Sequence, residues 1–457
     1  MTNQGIISES FQGLLAQACL SALLAIAGVG MSARADTQGR RFVHPGIAES
    51  AEDIARARRM IAERREPWYG CFKALEKCWS ADPNQRVPEY PTVLESSRCN
   101  AMIGQAGRRA HDLALMYRLT DDPRYAKKAA EFLNASSHYS ELRDVGTGPL
   151  DFGKIYLLVA AAELLRFDSN WAKEDKVRFA KMLRDVFYPR IRNGDIARFG
   201  NQGLFAYRGA LAIAIFLNDS RKYDRIWRYL NGMPHRADQE PFAPGPAITD
   251  ADPLNVTEFQ NDYRLRGREN TIPDYGYDEV LKNYIYANGQ CQEASRDQAH
   301  SACGLFIYVD IAEMFRMQGD DLYGALDNRI LAGIAWLVRF NLGEWQPSGY
   351  TDDEGDATFE NGLFYRARHR SGRWQSLKPN PWPGPSFGGP GAPRECAYAH
   401  YSRVKGADKA QLALLRRAIE RENAANGGFE TWGAAPNWYY EWAGWGTLMK
   451  RDAPASR

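Results

Sequence analysis

The sequence carries almost no charge imbalance: 58 Lys and Arg stand against 56 Asp and Glu, a net charge of +2. Nothing in that balance suggests a nucleic-acid partner, which ordinarily needs a concentrated basic patch. No Cys-x-x-Cys pair occurs among the 7 cysteines, which argues against a structural zinc site. Alternating β-branched runs are nearly absent, so no substantial β-domain is expected. Only one long apolar run exists, near the N-terminus, and no second membrane segment follows it.

What is present is globular in kind. The chain has 457 residues, 44% hydrophobic and 25% charged, enough for one large domain or two ordinary ones. Aromatic residues make up 12%, with 12 Trp and 23 Tyr. Flat rings of this kind line sugar-binding clefts, and cores use them as well. The apolar run, Leu14 to Met31, is interrupted by Gln17 and Ser21 and ends in Ser32-Ala33-Arg34-Ala35. Ala33-Arg34-Ala35 fits a small-residue cleavage site, although no Lys or Arg precedes the run. Residues 1–35 read as a secretory signal peptide, leaving a periplasmic or secreted mature chain with no stable membrane association. An uncleaved anchor is disfavoured because the run is short and rich in Gly and Ala. Apart from Cys19, six cysteines remain, Cys71, Cys78, Cys99, Cys291, Cys303 and Cys396. An even number outside the cytosol permits disulfides, but the pairing is not legible.

The mature chain reads as one helix after another. Ala48 to Arg65 places Ile54, Ala57, Met60 and Ile61 at helical spacing, and Pro67 stops it. A pattern then recurs at Leu113 to Tyr125, Leu211 to Tyr223 and Ile311 to Tyr323. Each is an apolar helix end, a short Asp/Asn/Gly turn, an aromatic residue and a second helix. Such turns suit αα-hairpins. Repeated hairpins in a chain of this size predict an all-α fold, an (α/α)n toroid built as an incomplete barrel of αα-hairpins. Two stretches break the pattern, Pro234 to Pro273 and Pro347 to Pro393. Both are too long for simple connectors, and long loops usually shape a site. They are expected on the rim of a central cleft, with residues 36–457 forming a single domain.

Four polar segments could carry chemistry. The densest is Asn288 to His300, with Gln292, Glu293, Arg296, Gln298 and His300 just before an apolar helix. Arg296 and His300 are four apart and share a face if the helix begins by Ser295. Read blandly, this is a capped helix start, yet so many hydrogen-bonding groups before a buried helix need partners. The second is Phe199-Gly-Asn-Gln202, where Asn201 precedes another apolar helix and suits an ordinary N-cap. The third is Tyr350 in Gln346-Pro-Ser-Gly-Tyr350; a Tyr there could be a mobile catalytic phenol, or simply pack. The acidic run after it does not match a calcium loop. The fourth, Arg394 to Tyr401, brings Tyr398 and His400 to another helix start.

These residue types belong together in β-elimination on a uronate. That reaction removes the C5 proton beside a carboxylate and expels the oxygen on C4. Asn, Gln, Arg or protonated His can neutralise the carboxylate and the enediolate that develops from it. Tyr or His can take the proton and return one to the leaving oxygen. In β-linked glucuronate or mannuronate the proton and leaving group share a side, and one Tyr can serve both steps; in guluronate they do not.

Several segments resemble the alginate lyase domain superfamily: Phe42-Val-His-Pro-Gly-Ile47, Asp53 to Arg58 and Pro67-Trp-Tyr69. Others look like polysaccharide lyase family 38: Asn288 to His300, Gln318 to Arg329, Phe340 to Gly343, Glu395 to Tyr401 and Gly444 to Leu448. The Gln-Glu-x-x-Arg-Asp-Gln-x-His string is the most specific. The resemblance implies an (α/α) toroid that needs no metal or other cofactor. It implies an anionic polyuronate substrate, β-1,4-glucuronan or the mannuronate of alginate; a monomer is expected. It also implies Asn201, His300 and Tyr350 as catalytic residues, with Arg296 beside them. Gln202, Gln292, Glu293, Tyr398 and His400 are expected to bind substrate. Gln202 stands where family five has a histidine, which fits His300 supplying the imidazole. Tyr398 and Tyr365 rival Tyr350. Two other classes stay open: a toroidal glycoside hydrolase, needing two carboxylates such as Glu293, Asp297 or Asp274, and a non-catalytic glycan-binding protein.

Overall fold

The chain divides at Arg40, and the fold is that of the unit Arg41–Arg457. The computed structural model describes residues 39–146, 148–194, 200–233, 279–291, 293, 298–342, 393–430 and 442–452. The signal segment 1–35 and both long loops lie outside them.

Helices follow one another as hairpins. The first pairs α1 (Ala51–Ala62) with α2 (Trp68–Glu76). Ser50 caps α1 by accepting from the Asp53 amide while the Asp53 carboxylate accepts from Ser50, a reciprocal capping box. Next come α3 (Gln105–Thr120) and α4 (Pro123–Ser136), joined by Asp121 in the left-handed conformation and Asp122 as N-cap, with Pro123 starting the helix. Then α5 (Tyr156–Leu164) pairs with α6 (Lys173–Met182). After these, α7 (Asn201–Phe216) pairs with α8 (Ser220–Leu230), and α9 (Gln298–Met317) with α10 (Ala325–Asn341). The last pair is α11 (Arg394–Tyr401) and α12 (Lys409–Ala425). All three repeats expected from the sequence are therefore helix–turn–helix units. Strand is confined, among the described residues, to two parallel three-residue pieces, β1 (Val93–Glu95) and β2 (Glu141–Arg143).

The odd-numbered helices run the same way, and specific contacts fix this. Glu49, just before α1, meets His111 of α3 at 3.0 Å, and further along Arg58 reaches the Arg118 carbonyl. Gly107 packs on Leu157 and Leu158 at the start of α5, and the Tyr117 hydroxyl reaches Asp168 past its end. Between α7 and α9, Asn201 meets the His300 carbonyl and Arg208 meets Asp310. Every residue of α5 and α7 is buried, which is why their sequences show no polar face. This is the inner layer of an (α/α) toroid, with the even-numbered helices returning antiparallel.

Parallel inner helices leave C-terminal carbonyls on one face, and arginines meet them. Arg58 of α1 donates to the last turn of α3, and Arg166 after α5 donates to the Phe216 carbonyl ending α7. The C-terminal segment bridges the two ends of the chain of hairpins. Lys450 donates to Asp53 on α1 at 2.8 Å and to Glu313 on α9 at 3.0 Å. Arg108 donates to the Ala443 carbonyl, and the Trp445 indole to Asp112.

Among the described residues no disulfide joins Cys71, Cys78, Cys99, Cys291, Cys303 and Cys396, so the bridges that the even count permitted are not formed between them. Burial pushes the Cys291 thiol up to about 12. Among the described residues no helix is long and apolar enough to cross a membrane.

Candidate active site

The site is built where α7 and α9 begin. Gly200 adopts φ +70°, a conformation glycine enters without a side-chain clash. A Cβ there would also lie 2.5 Å from the Glu293 carboxyl carbon, so the turn demands glycine twice over. Gly200 is the N-cap, and Asn201 is the first helical residue. The ordinary capping role open to Asn201 on sequence is therefore not the one it has.

Asn201 is instead held by the segment preceding α9. Its backbone amide donates to Glu293 Oε2 at 2.8 Å, and its side-chain Nδ2 donates to the His300 carbonyl at 3.3 Å. The second Nδ2 proton reaches Glu293 Oε1 at 3.5 Å, a long and weak contact. Glu293 exposes 1% of its surface and Asn201 2%. A carboxylate so buried is tolerated because the helix N-terminus and its donors stabilise the charge. Tyr284 adds a third hydrogen bond, its hydroxyl donating to Glu293 Oε2 at 3.1 Å. Glu293 thus ties three chain segments together and is placed to hold Asn201.

Gln202 is buried beside Asn201, and its Oε1 has no hydrogen-bond partner among the described residues. Below it, Gly203 lets Glu279 approach: a Cβ at Gly203 would stand 1.8 Å from Glu279 Oε1. Tyr229 donates to Glu279 Oε2 at 2.6 Å, and Tyr229 stacks on Tyr207 with ring centroids 4.4 Å apart. Desolvation, and then the Glu279 charge, push the Tyr229 pKa well above its ordinary value, so it stays a donor.

The structure brings Asn201, Gln202, Glu293 and His300 together. His300 lies in the first turn of α9, half-buried. Arg296, Gln292 and Tyr350, with the rival Tyr365, lie outside the described residues, as does Ser295, where the helix was expected to begin. Tyr398 and His400 are placed elsewhere. His400 lines a cavity with Glu313 and Arg316 of α9. Glu313 is thirteen positions beyond His300, about 20 Å along the helix at ~1.5 Å per residue. Tyr398 lies near Arg416 of α12. Both lie in the C-terminal half of α11, and these contacts do not bring them to Asn201.

Sequence reasoning passed over Tyr284, Glu279 and Lys154. Lys154 is buried just before α5, donating to Asn100 Oδ1 at 2.6 Å and Asp151 Oδ1 at 2.8 Å. The spacing of Asp151 and Lys154 on one helical face was the available signal, hidden within an apolar stretch.

The decisive comparison concerns the first half of the fold. Residues 79–238 match the alginate lyase family model. The alginate lyase match includes Lys154, Asn201 and Gln202, and it supports a polysaccharide lyase. No curated protein sequence matches the chain. Alginate lyase A1-III from Sphingomonas species A1 is similar in structure, with a TM-score of 0.51 at 12% identity over 92% of this chain and 100% of that one. An alginate lyase from Bacteroides ovatus also aligns, with a TM-score of 0.42 at 13% identity over 66% of this chain and 86% of that one. At such identities the likeness to A1-III concerns the fold alone.

Proposed function

We propose that this protein is an exported polysaccharide lyase that cleaves a β-1,4-linked polyuronate, β-1,4-glucuronan or polymannuronate, by β-elimination. The observation that carries the reading is the meeting of Asn201, inside the alginate lyase match, with the His300 segment, outside it. The Asn201 amide proton on the weak Glu293 contact turns to the uronate carboxylate, and its withdrawal of charge there lowers the cost of removing the C5 proton. Gln202 Oε1, without a partner among the described residues, is an acceptor for a sugar hydroxyl. His300 supplies the imidazole, and Arg296 a cation beside the carboxylate. Tyr350 is the base and acid at the scissile bond. Glu293 does no chemistry; it holds Asn201 while the substrate is turned over.

Purified protein lacking residues 1–35 is assayed by ultraviolet absorbance on polymannuronate, polyguluronate, β-1,4-glucuronan and hyaluronan. A lyase generates an absorbing unsaturated end. New reducing ends without absorbance would identify a hydrolase, and neither signal would leave a binding protein. His300→Ala and Tyr350→Phe are each expected to lower turnover by roughly two or more orders of magnitude with the fold intact. Near-wild-type rates in either variant would remove that residue from the mechanism.

A further inference from the structure

At the opposite end of α9 from His300 lies a cavity of about 250 Å³. Four cations line it, Arg56, Arg316, Arg403 and Lys450, against two carboxylates, Asp53 and Glu313. Both carboxylates are already engaged. Asp53 accepts from Arg56 at 2.7 Å and from Lys450 at 2.8 Å. Glu313 accepts from Arg316 at 2.8 and 2.9 Å and from Lys450 at 3.0 Å. Arg403 finds its carboxylate outside the lining, in Asp452, and its side chain is 58% exposed, which places it at the mouth. The lining therefore keeps an excess of positive charge.

Some of that charge offsets the carbonyl end of α9, whose last turn holds Arg316. Two observations go beyond this. Arg56 has a buried Nε–H with no acceptor among the described residues, and an unmet guanidinium donor is costly to leave unpaired. His400 presents its imidazole to the same space, stacked on Tyr323 with centroids 3.9 Å apart. Burial pulls the His400 pKa below its ordinary value, so the ring serves as a neutral donor and acceptor. At ~30 Å³ per water the cavity exceeds what one or two bridging waters need and accommodates a tetrahedral oxyanion or a single sugar acid.

We infer that this cavity, between α1, α9, α11 and the C-terminal segment, is a binding site for a small oxyanion, separate from the candidate active site. Phosphate, sulfate and a uronate carboxylate share the required chemistry: several oxygens able to accept from guanidinium groups that already hold fixed positions. The inference does not depend on the lyase reading, because none of these residues belongs to the Asn201 site.

The test is thermal unfolding and titration calorimetry of the full mature chain with sodium sulfate, sodium phosphate and sodium glucuronate. Ionic strength is held constant with sodium chloride, a spherical anion. Saturable stabilisation by at least one oxyanion, above the chloride baseline, is expected. A response to sulfate and phosphate alone identifies a tetrahedral ligand; a response to glucuronate alone identifies a sugar acid. Arg403→Glu, at the exposed mouth, is expected to weaken binding by at least about tenfold while leaving the unliganded melting temperature near wild type. Arg316→Gln gives a second variant, read by the same titration. Absence of saturable binding to all three anions overturns the inference, and so does unchanged affinity in Arg403→Glu and Arg316→Gln.

Discussion

At the scale of single residues, the site depends on groups that touch no solvent. Glu293 accepts from the Asn201 amide and from Tyr284 inside a buried pocket. Glu293→Gln keeps its shape but replaces one oxygen with a donor, which then faces either N–H or O–H. Turnover is expected to fall about tenfold or more while the fold persists, since a misplaced positioning group costs on that order. Steady-state kinetics beside a denaturation curve separate this from unfolding; a variant with unchanged rate would strip Glu293 of its positioning role. Gly203 makes a sharper structural case. A methyl group there would stand 1.8 Å from Glu279 Oε1, and Tyr229 pins that carboxylate from the other side. Gly203→Ala is expected to cost roughly 1–3 kcal/mol, as overpacked cores do, read as a lowered denaturation midpoint. None of this was legible beforehand. The string around Glu293 and His300 announced itself by its density of polar residues, but Gly203 sits in an apolar helix where nothing in the sequence marks a neighbour 76 positions away.

At the scale of elements, the hairpins were readable because each carries its own signals. The Asp121–Asp122–Pro123 turn and the Asn218–Asp219 turn supply left-handed residues, N-caps and helix starts locally. The third hairpin differs: Leu326, Asp327 and Asn328 all have positive φ within α10, a left-handed turn that no local signal in the sequence marked. What local signals could not give was direction toward a common site. The sequence puts Tyr398 and His400 near a helix start, as it does Asn201, yet they fall in the C-terminal half of α11, His400 beside Glu313 and Tyr398 near Arg416. Helix ends also depend on neighbours remote in sequence. Arg166 donates to the Ile215 and Phe216 carbonyls that close α7 and lies over the Phe216 ring at 4.7 Å. Arg166→Ala leaves those carbonyls and Glu163 short of a donor. A loss of about 1–2 kcal/mol is expected, measured by urea denaturation, with Arg166→Lys restoring part of it. An unaffected midpoint would mean that water replaces the guanidinium without cost.

At the scale of the whole molecule, the toroid's inner layer is strung with buried charges that no apolar periodicity predicts. Arg208 pairs with Asp310 at 2.6 Å and lies over the Tyr156 ring at 4.4 Å. Burial raises the Asp310 pKa to about 6 even with Arg208 beside it. Across the ring, His111 sits between Glu49 at 3.0 Å and Asp112 at 3.5 Å, wholly buried. Burial alone would lower the His111 pKa, but the Glu49 charge and the Asp112 and Glu49 hydrogen bonds outweigh it and lift the value from 6.5 to about 9. The folded value thus lies above the unfolded one. The stability from a charged His111 is fully present below pH 6.5 and drains away as pH climbs through about 9. Asp310 acts in the same direction at lower pH: its raised value means that ionising it within the fold costs stability as pH rises from 3.8 toward about 6. Unfolding free energy should therefore decline toward alkaline pH, by up to about 3 kcal/mol from His111. His111→Gln should lower stability at neutral pH and flatten the alkaline slope. If denaturation midpoints for the wild type hold level between neutrality and pH 9, His111 is not charged in the folded protein. In that case Asp112 is held by Arg108, Ser80 and Trp445 without a charged imidazole, and Glu49 accepts only from a neutral one.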